Sequence, residues 1–154
     1  MLSISTKERS KMATILLNGT FSSLETVVPL KQTRMKPQLL EKDFRTKYGV
    51  LIGITGDVQG KLVISGNPHV FSKIGEVMYG MPLEGEMLIS FSGELGNMVA
   101  GGLSMNIVEN GININITSPT MMQGDTTLYG FKQGLNVMTS LDSVGDLDIY
   151  LLLD

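Results

Sequence analysis

YGVLIGITGDVQGKLVISG, residues 48–66, reads as a β-hairpin. Its two arms, YGVLIGITG and KLVISG, are rich in β-branched residues, and the stretch from Gly56 to Gly60 has the composition of a turn. Directly after it, Asn67-Pro68 opens a helix, because Asn caps free amides and Pro fits the first helical position. That helix is predicted to end near Tyr79, at Gly80, and a longer one to run over residues 85–109 and stop at Asn110-Gly111. Working outward toward the N-terminus, Met12, Ile15, Leu16, Phe21, Leu24 and Val28 approximate a 3.6-residue stripe over residues 5–28, with Gly19 inside it and Pro29 at the exit. Residues 30–47 are polar and extended around Pro37. Toward the C-terminus ININ alternates as a strand, Ser118-Pro119 interrupts, and TTLYGF, GLNVMTSL and DIYLLL read as further strands, the last two joined by a turn at 143–145. The order helix, strands, two helices, strands predicts an α+β fold, a largely antiparallel sheet packed against long helices. The strand–helix alternation of a parallel sheet is missing.

A length of 154 residues suits one domain, 1–154, able to bury roughly 70% of its unfolded surface without staples. Cysteine is absent, which removes disulfides, a thiol nucleophile and zinc ribbons. The one histidine, His69, falls in a helix's first turn and reads as solvated; no G-x-S-x-G elbow accompanies it, so neither a zinc site nor a Ser-His-Asp triad is expected. GDVQGK, residues 56–61, lacks the glycine spacing of a phosphate loop and is followed by Leu62, so Asp57 reads as a turn residue. A net charge of −3 argues against a nucleic-acid partner. Lys31, Arg34, Lys36, Lys42, Arg45 and Lys47 are spread out, with Glu41 and Asp43 among them, as on a solvated edge. No apolar run reaches the roughly 20 residues of a membrane span, and Lys7, Glu8, Arg9 and Lys11 interrupt any signal-peptide core. The expectation is a soluble cytoplasmic protein that binds neither membrane nor nucleic acid.

The chemistry concentrates in LISFSGELGNMVAGGLSMNIV, residues 88–108. With Glu94 at zero on a wheel turning about 100° per residue, Ser90 and Asn97 lie within about 60° of it, and Gly101 continues their stripe. Gly93 sits at the border, while Leu88, Phe91, Leu95, Met98, Val99 and Leu103 fall over a broad arc able to bury against a sheet. One face therefore offers a carboxylate, an amide, a hydroxyl and little bulk. Each exposed interior glycine costs a helix about 1 kcal/mol against alanine, so Gly93, Gly96, Gly101 and Gly102 need a reason. Close approach of a partner protein is one; packing on a neighbouring helix of the same domain, with Glu94 merely solvated, is the other. The 11 methionines read mostly as core filler, with Met98 and Met105 bordering the motif.

Ser90-x-x-x-Glu94-x-x-Asn97, continued as GELGNMVAGG, resembles the signature of the CheC/CheX/FliY phosphatases of bacterial chemotaxis. The likeness extends over most of the chain: a first helix, a glycine-turned hairpin, a short helix, the motif helix and INITSPTMMQG. Some members carry a motif in each of two pseudo-repeats. Here Glu25 of the first helix has Val28 three residues later and Phe21 four earlier, so only one motif is present, which points to the CheX-like branch. The resemblance implies hydrolysis of the aspartyl-phosphate of a CheY-type response regulator in two-component signalling. Asn97 would position the attacking water and Glu94 would dock to the regulator's active-site Lys, with Ser90, Gly93, Met98 and Gly101 as partner-binding residues. It implies no cofactor of the protein's own, Mg²⁺ being supplied by the bound regulator, and a homodimer. The alternatives are a non-catalytic adaptor or flagellar switch-like module on the same fold, and a structural dimer with this helix at its contact.

Overall fold

The computed structural model describes residues 6–40 and 42–154, so Glu41 and the first residue of the expected N-terminal helix lie outside the described residues. In order, the elements are α1 (Thr6–Val27), β1 (Gln32–Arg34), β2 (Gln38–Leu40), β3 (Asp43–Gly56), β4 (Gly60–Gly66), α2 (Pro68–Tyr79), α3 (Gly85–Asn106), a 3-10 turn Ile107–Asn110, β5 (Ile114–Ile116), β6 (Thr120–Tyr129), β7 (Gln133–Leu141) and β8 (Gly145–Leu153). The expected α+β fold with an antiparallel sheet is what forms. All pairings are antiparallel, in the order β1-β7-β8-β4-β3-β5, with β2 also on β7 and β6 also on β3.

The hairpin is β3–β4, in register from Gly49↔Ser65 to Ile54↔Gly60. Tyr48, Val50, Ile52 and Ile54 of β3, with Leu62 and Ile64 of β4 and Leu147, Ile149 and Leu151 of β8, face the helices and join one core with α1, α2 and α3. A register shift between Thr46 and Tyr48 reverses the alternation. Phe44 therefore turns to the opposite face, where it stacks on Tyr150 with ring centroids 4.1 Å apart beside Val63 and Leu152.

The helix-end signals hold in detail. Asn67 Oδ1 accepts from the His69 amide at 2.8 Å, Pro68 opens α2, and Gly80 closes it at φ 80°. Ser72 Oγ donates to the Leu83 carbonyl at 2.6 Å and so ties down the loop that leads into α3. Three boundaries differ from expectation. The polar stretch 30–47 contains β1, β2 and the start of β3; the first two are three-residue strands that exist only through pairing with β7, a partner distant in sequence. The motif helix ends at Asn106 and tightens into the 3-10 turn before Gly111 at φ 75°. Strand β6 begins at Thr120, directly after Pro119, and not only at the TTLYGF run.

Candidate active site

Helix α3 is held in one rotation by buried apolar side chains and three hydrogen bonds to the rest of the fold. Leu95, Val99 and Leu103 are fully buried, each worth about 1.5–3 kcal/mol by area. Tyr48 Oη lies 2.8 Å from Ser92 Oγ, and Ser92 Oγ donates to the Leu88 carbonyl at 2.8 Å, so the tyrosine is the donor to the serine. Burial pushes the Tyr48 phenol up from its ordinary value. Ser23 Oγ of α1 donates to the Val99 carbonyl at 2.8 Å, and Asn106 Nδ2 donates to the Gly19 carbonyl at 3.0 Å.

With that rotation set, the opposite side of α3 carries the motif. Ser90 and Glu94 are exposed; Asn97 and Gly101 are half-buried. Residues three apart on a helix have Cβ atoms about 5–6 Å apart, so the Glu94 carboxylate and the Asn97 amide are neighbours. Among the described residues, no side-chain hydrogen bond or ion pair engages Ser90, Glu94 or Asn97. Three surface hollows of 340, 200 and 370 Å³ lie elsewhere and include neither residue. The pair thus stands free on a helix surface, an arrangement that suits insertion into another macromolecule better than enclosure of a small substrate.

The glycines divide. A Cβ on Gly96 would fall 2.7 Å from Val50 and 3.0 Å from Ile52, and one on Gly102 would fall 2.8 Å from Ser23 Cβ, so both are small because α3 packs closely on the sheet and on α1. A Cβ on Gly101 would meet nothing within 4 Å. Gly93 requires a correction. It is buried, and its Cβ position faces Pro119 and Met121 at 3.8 and 4.0 Å, so it lies beneath the β5–β6 connection and cannot touch a partner. Met98, expected both on the apolar arc and among the residues bordering the motif, is half-buried, packs with neither core, and lies about 40° from Glu94 on the wheel, on the motif side.

Asn18 of α1 holds the place on its helix that Asn97 holds on α3. Laid on α3 with Asn18 over Asn97, α1 places buried Leu16, Thr20, Phe21 and Leu24 over buried Leu95, Val99, Ala100 and Leu103. The counterpart of Glu94 is then Ile15. Among the described residues, no group of three His, Asp or Glu side chains could hold a metal ion. No helix of these residues is long and apolar enough to cross a membrane.

The fold is that of solved CheC-like proteins. A CheC-like protein from Shewanella sp. PV-4 superposes with a TM-score of 0.79 at 22% identity, covering 91% of this chain and 97% of that one. The chain of a CheX–CheY–BeF3–Mg²⁺ complex from Borrelia burgdorferi gives 0.74 at 18% identity, covering 92% and 96%. The family described as chemotaxis phosphatase CheX matches residues 48–139, from β3 through α3 into β7, and the chain belongs to that family. The CheY-P phosphatase CheX of Thermotoga maritima is 29% identical over 147 residues, 92% of this chain and 95% of that protein.

Proposed function

We propose that this protein hydrolyses the aspartyl-phosphate of a CheY-type response regulator, with Asn97 and Glu94 in separate roles. The observation that carries the reading is the free, outward-facing Glu94–Asn97 pair on a helix whose other side is pinned. Docking places Asn97 beside the regulator's phosphoryl group. Its amide, both acceptor and donor, orients a water without titrating. The water oxygen attacks phosphorus in line, the bond from phosphorus to the aspartyl oxygen breaks, and phosphate and a free aspartate result. Phosphoryl transfer of this kind depends chiefly on positioning and electrostatics, which a neutral amide supplies. Glu94 pairs with the regulator's active-site Lys, a charge-assisted contact that also sets register. Ser90 and Gly101 extend the contact along the same face. The Mg²⁺ of the reaction belongs to the regulator, as the composition of the Borrelia burgdorferi complex suggests. The setting is the cytoplasm, where such regulators act.

A homodimer is part of the proposal. Its support is the outer edge of β6, ten residues long, which no described strand pairs, with Tyr129 76% exposed at its end.

The test is the decay of a phosphorylated CheY-type regulator in Mg²⁺. Wild-type protein accelerates it. Asn97→Ala reduces the maximal rate by about 100-fold while binding persists, and Glu94→Ala raises KM by about 10- to 100-fold. Binding without acceleration by the wild type would establish the adaptor instead.

A further inference from the structure

We propose that a row of three methionines, Met87, Met98 and Met105, forms the apolar half of the docking face and holds the regulator alongside the Glu94–Asn97 pair. This rests on the reading of that pair as a regulator phosphatase site. On the wheel Met87 and Met105 lie about 20° and Met98 about 40° to one side of Glu94, and Ser90, Asn97 and Gly101 lie on the other. The outer face of α3 thus has a polar edge and a methionine edge, with the carboxylate between them. Met87 is 59% and Met105 77% exposed, and none of the three joins either core cluster.

Neither helix formation nor folding accounts for this row. Lys, Glu and Gln serve a helix about as well as Met. Single exposed apolar residues are ordinary, whereas three along one line of one helix make a surface. The row spans about 27 Å at 1.5 Å per residue, a length that fits the face of a small domain. Its continuity with Glu94 and Asn97 identifies the occupant, because a regulator seated over Asn97 must cover the neighbouring methionines. Methionine adapts its shape to differing surfaces. A single carboxylate can therefore fix register while the row supplies adjustable contact area.

The experiment uses the full-length chain carrying Met87→Gln with Met105→Gln. The substrate is the CheY-type regulator on which the wild type is most active, charged with acetyl phosphate in Mg²⁺. The double variant should raise KM about tenfold and leave kcat within about twofold. Both positions are exposed, so the thermal midpoint should not move. A wild-type KM in the double variant overturns the proposal. So does a shift in oligomeric state with KM unchanged, which would make this face a contact between copies. If the wild type fails to accelerate decay, the phosphatase reading is what fails. The row is then judged by binding of the BeF3-activated regulator, and equal affinity of wild type and double variant overturns it.

Discussion

Helices α1 and α3 have the same buried pattern and different outer faces. They cross antiparallel, as the pairs Ser23 with Val99 and Gly19 with Asn106 show. Each sends Leu, Thr or Val, an aromatic or small residue, and Leu into the core at matching positions. Outward, α3 presents Ser90, Glu94, Asn97 and Gly101, whereas at the corresponding places α1 has exposed Lys11, Asn18 and Ser22 and half-buried Ile15, which packs on the core. The amide is present on both and the carboxylate on one only. The comparison teaches that the shared inner pattern is the architecture's requirement, while the outer pair is free to differ and therefore reports function.

The largest expected effect separates the two amides. Asn97→Ala should cost about 100-fold in dephosphorylation, and Asn18→Ala should leave the rate within about twofold, because Ile15 and not a carboxylate stands three residues before Asn18, where Glu94 stands before Asn97. Equal losses in a single assay of both variants would break the distinction between the helices.

The next effect sharpens the contrast between the inner and outer sides of α3. Gly96→Ala forces a methyl against Val50 and Ile52 and should destabilise the fold by about 1–3 kcal/mol in urea unfolding. Gly101→Ala, with open space around its Cβ, should stabilise the protein by about 0.5–1 kcal/mol. A fall in phosphatase activity of the stabilised Gly101 variant would then belong to docking and not to folding.

The smallest effect concerns pH. Burial raises Tyr48 and Tyr150 above the ordinary phenol value of 10.0. Above that value the folded chain keeps protons that the unfolded chain loses. Stability from these two phenols is therefore present below pH 10 and is lost as pH rises beyond it. Tyr48→Phe should flatten that alkaline loss in unfolding titrations, while activity near neutrality changes little.

Much of this was legible in the chain. The hairpin followed from β-branched arms around a glycine-bounded turn, and the end of α2 from Asn67-Pro68 and Gly80, because those signals are local. The motif pair was legible because helical periodicity alone puts Ser90, Glu94 and Asn97 on one face. What escaped depended on partners distant in sequence. Strands β1 and β2 are too short to signal themselves and are defined by β7. Gly101 and Gly102 are adjacent glycines, yet one meets open space and the other Ser23, a difference that spacing cannot express. Gly93 lies under Pro119, and Met98 joins neither core, because the sheet and α1 turn the buried arc of α3 toward Gly93 and away from Met98 relative to the arc that hydrophobicity suggested.

The most direct measurement pairs catalysis with binding on one variant, Asn97→Ala. Its affinity for the BeF3-activated regulator and its effect on decay of the phosphorylated form are measured side by side with wild type. Affinity within about threefold of wild type together with loss of nearly all acceleration is the expected result. Wild-type acceleration by the variant would contradict the assignment of the water to Asn97.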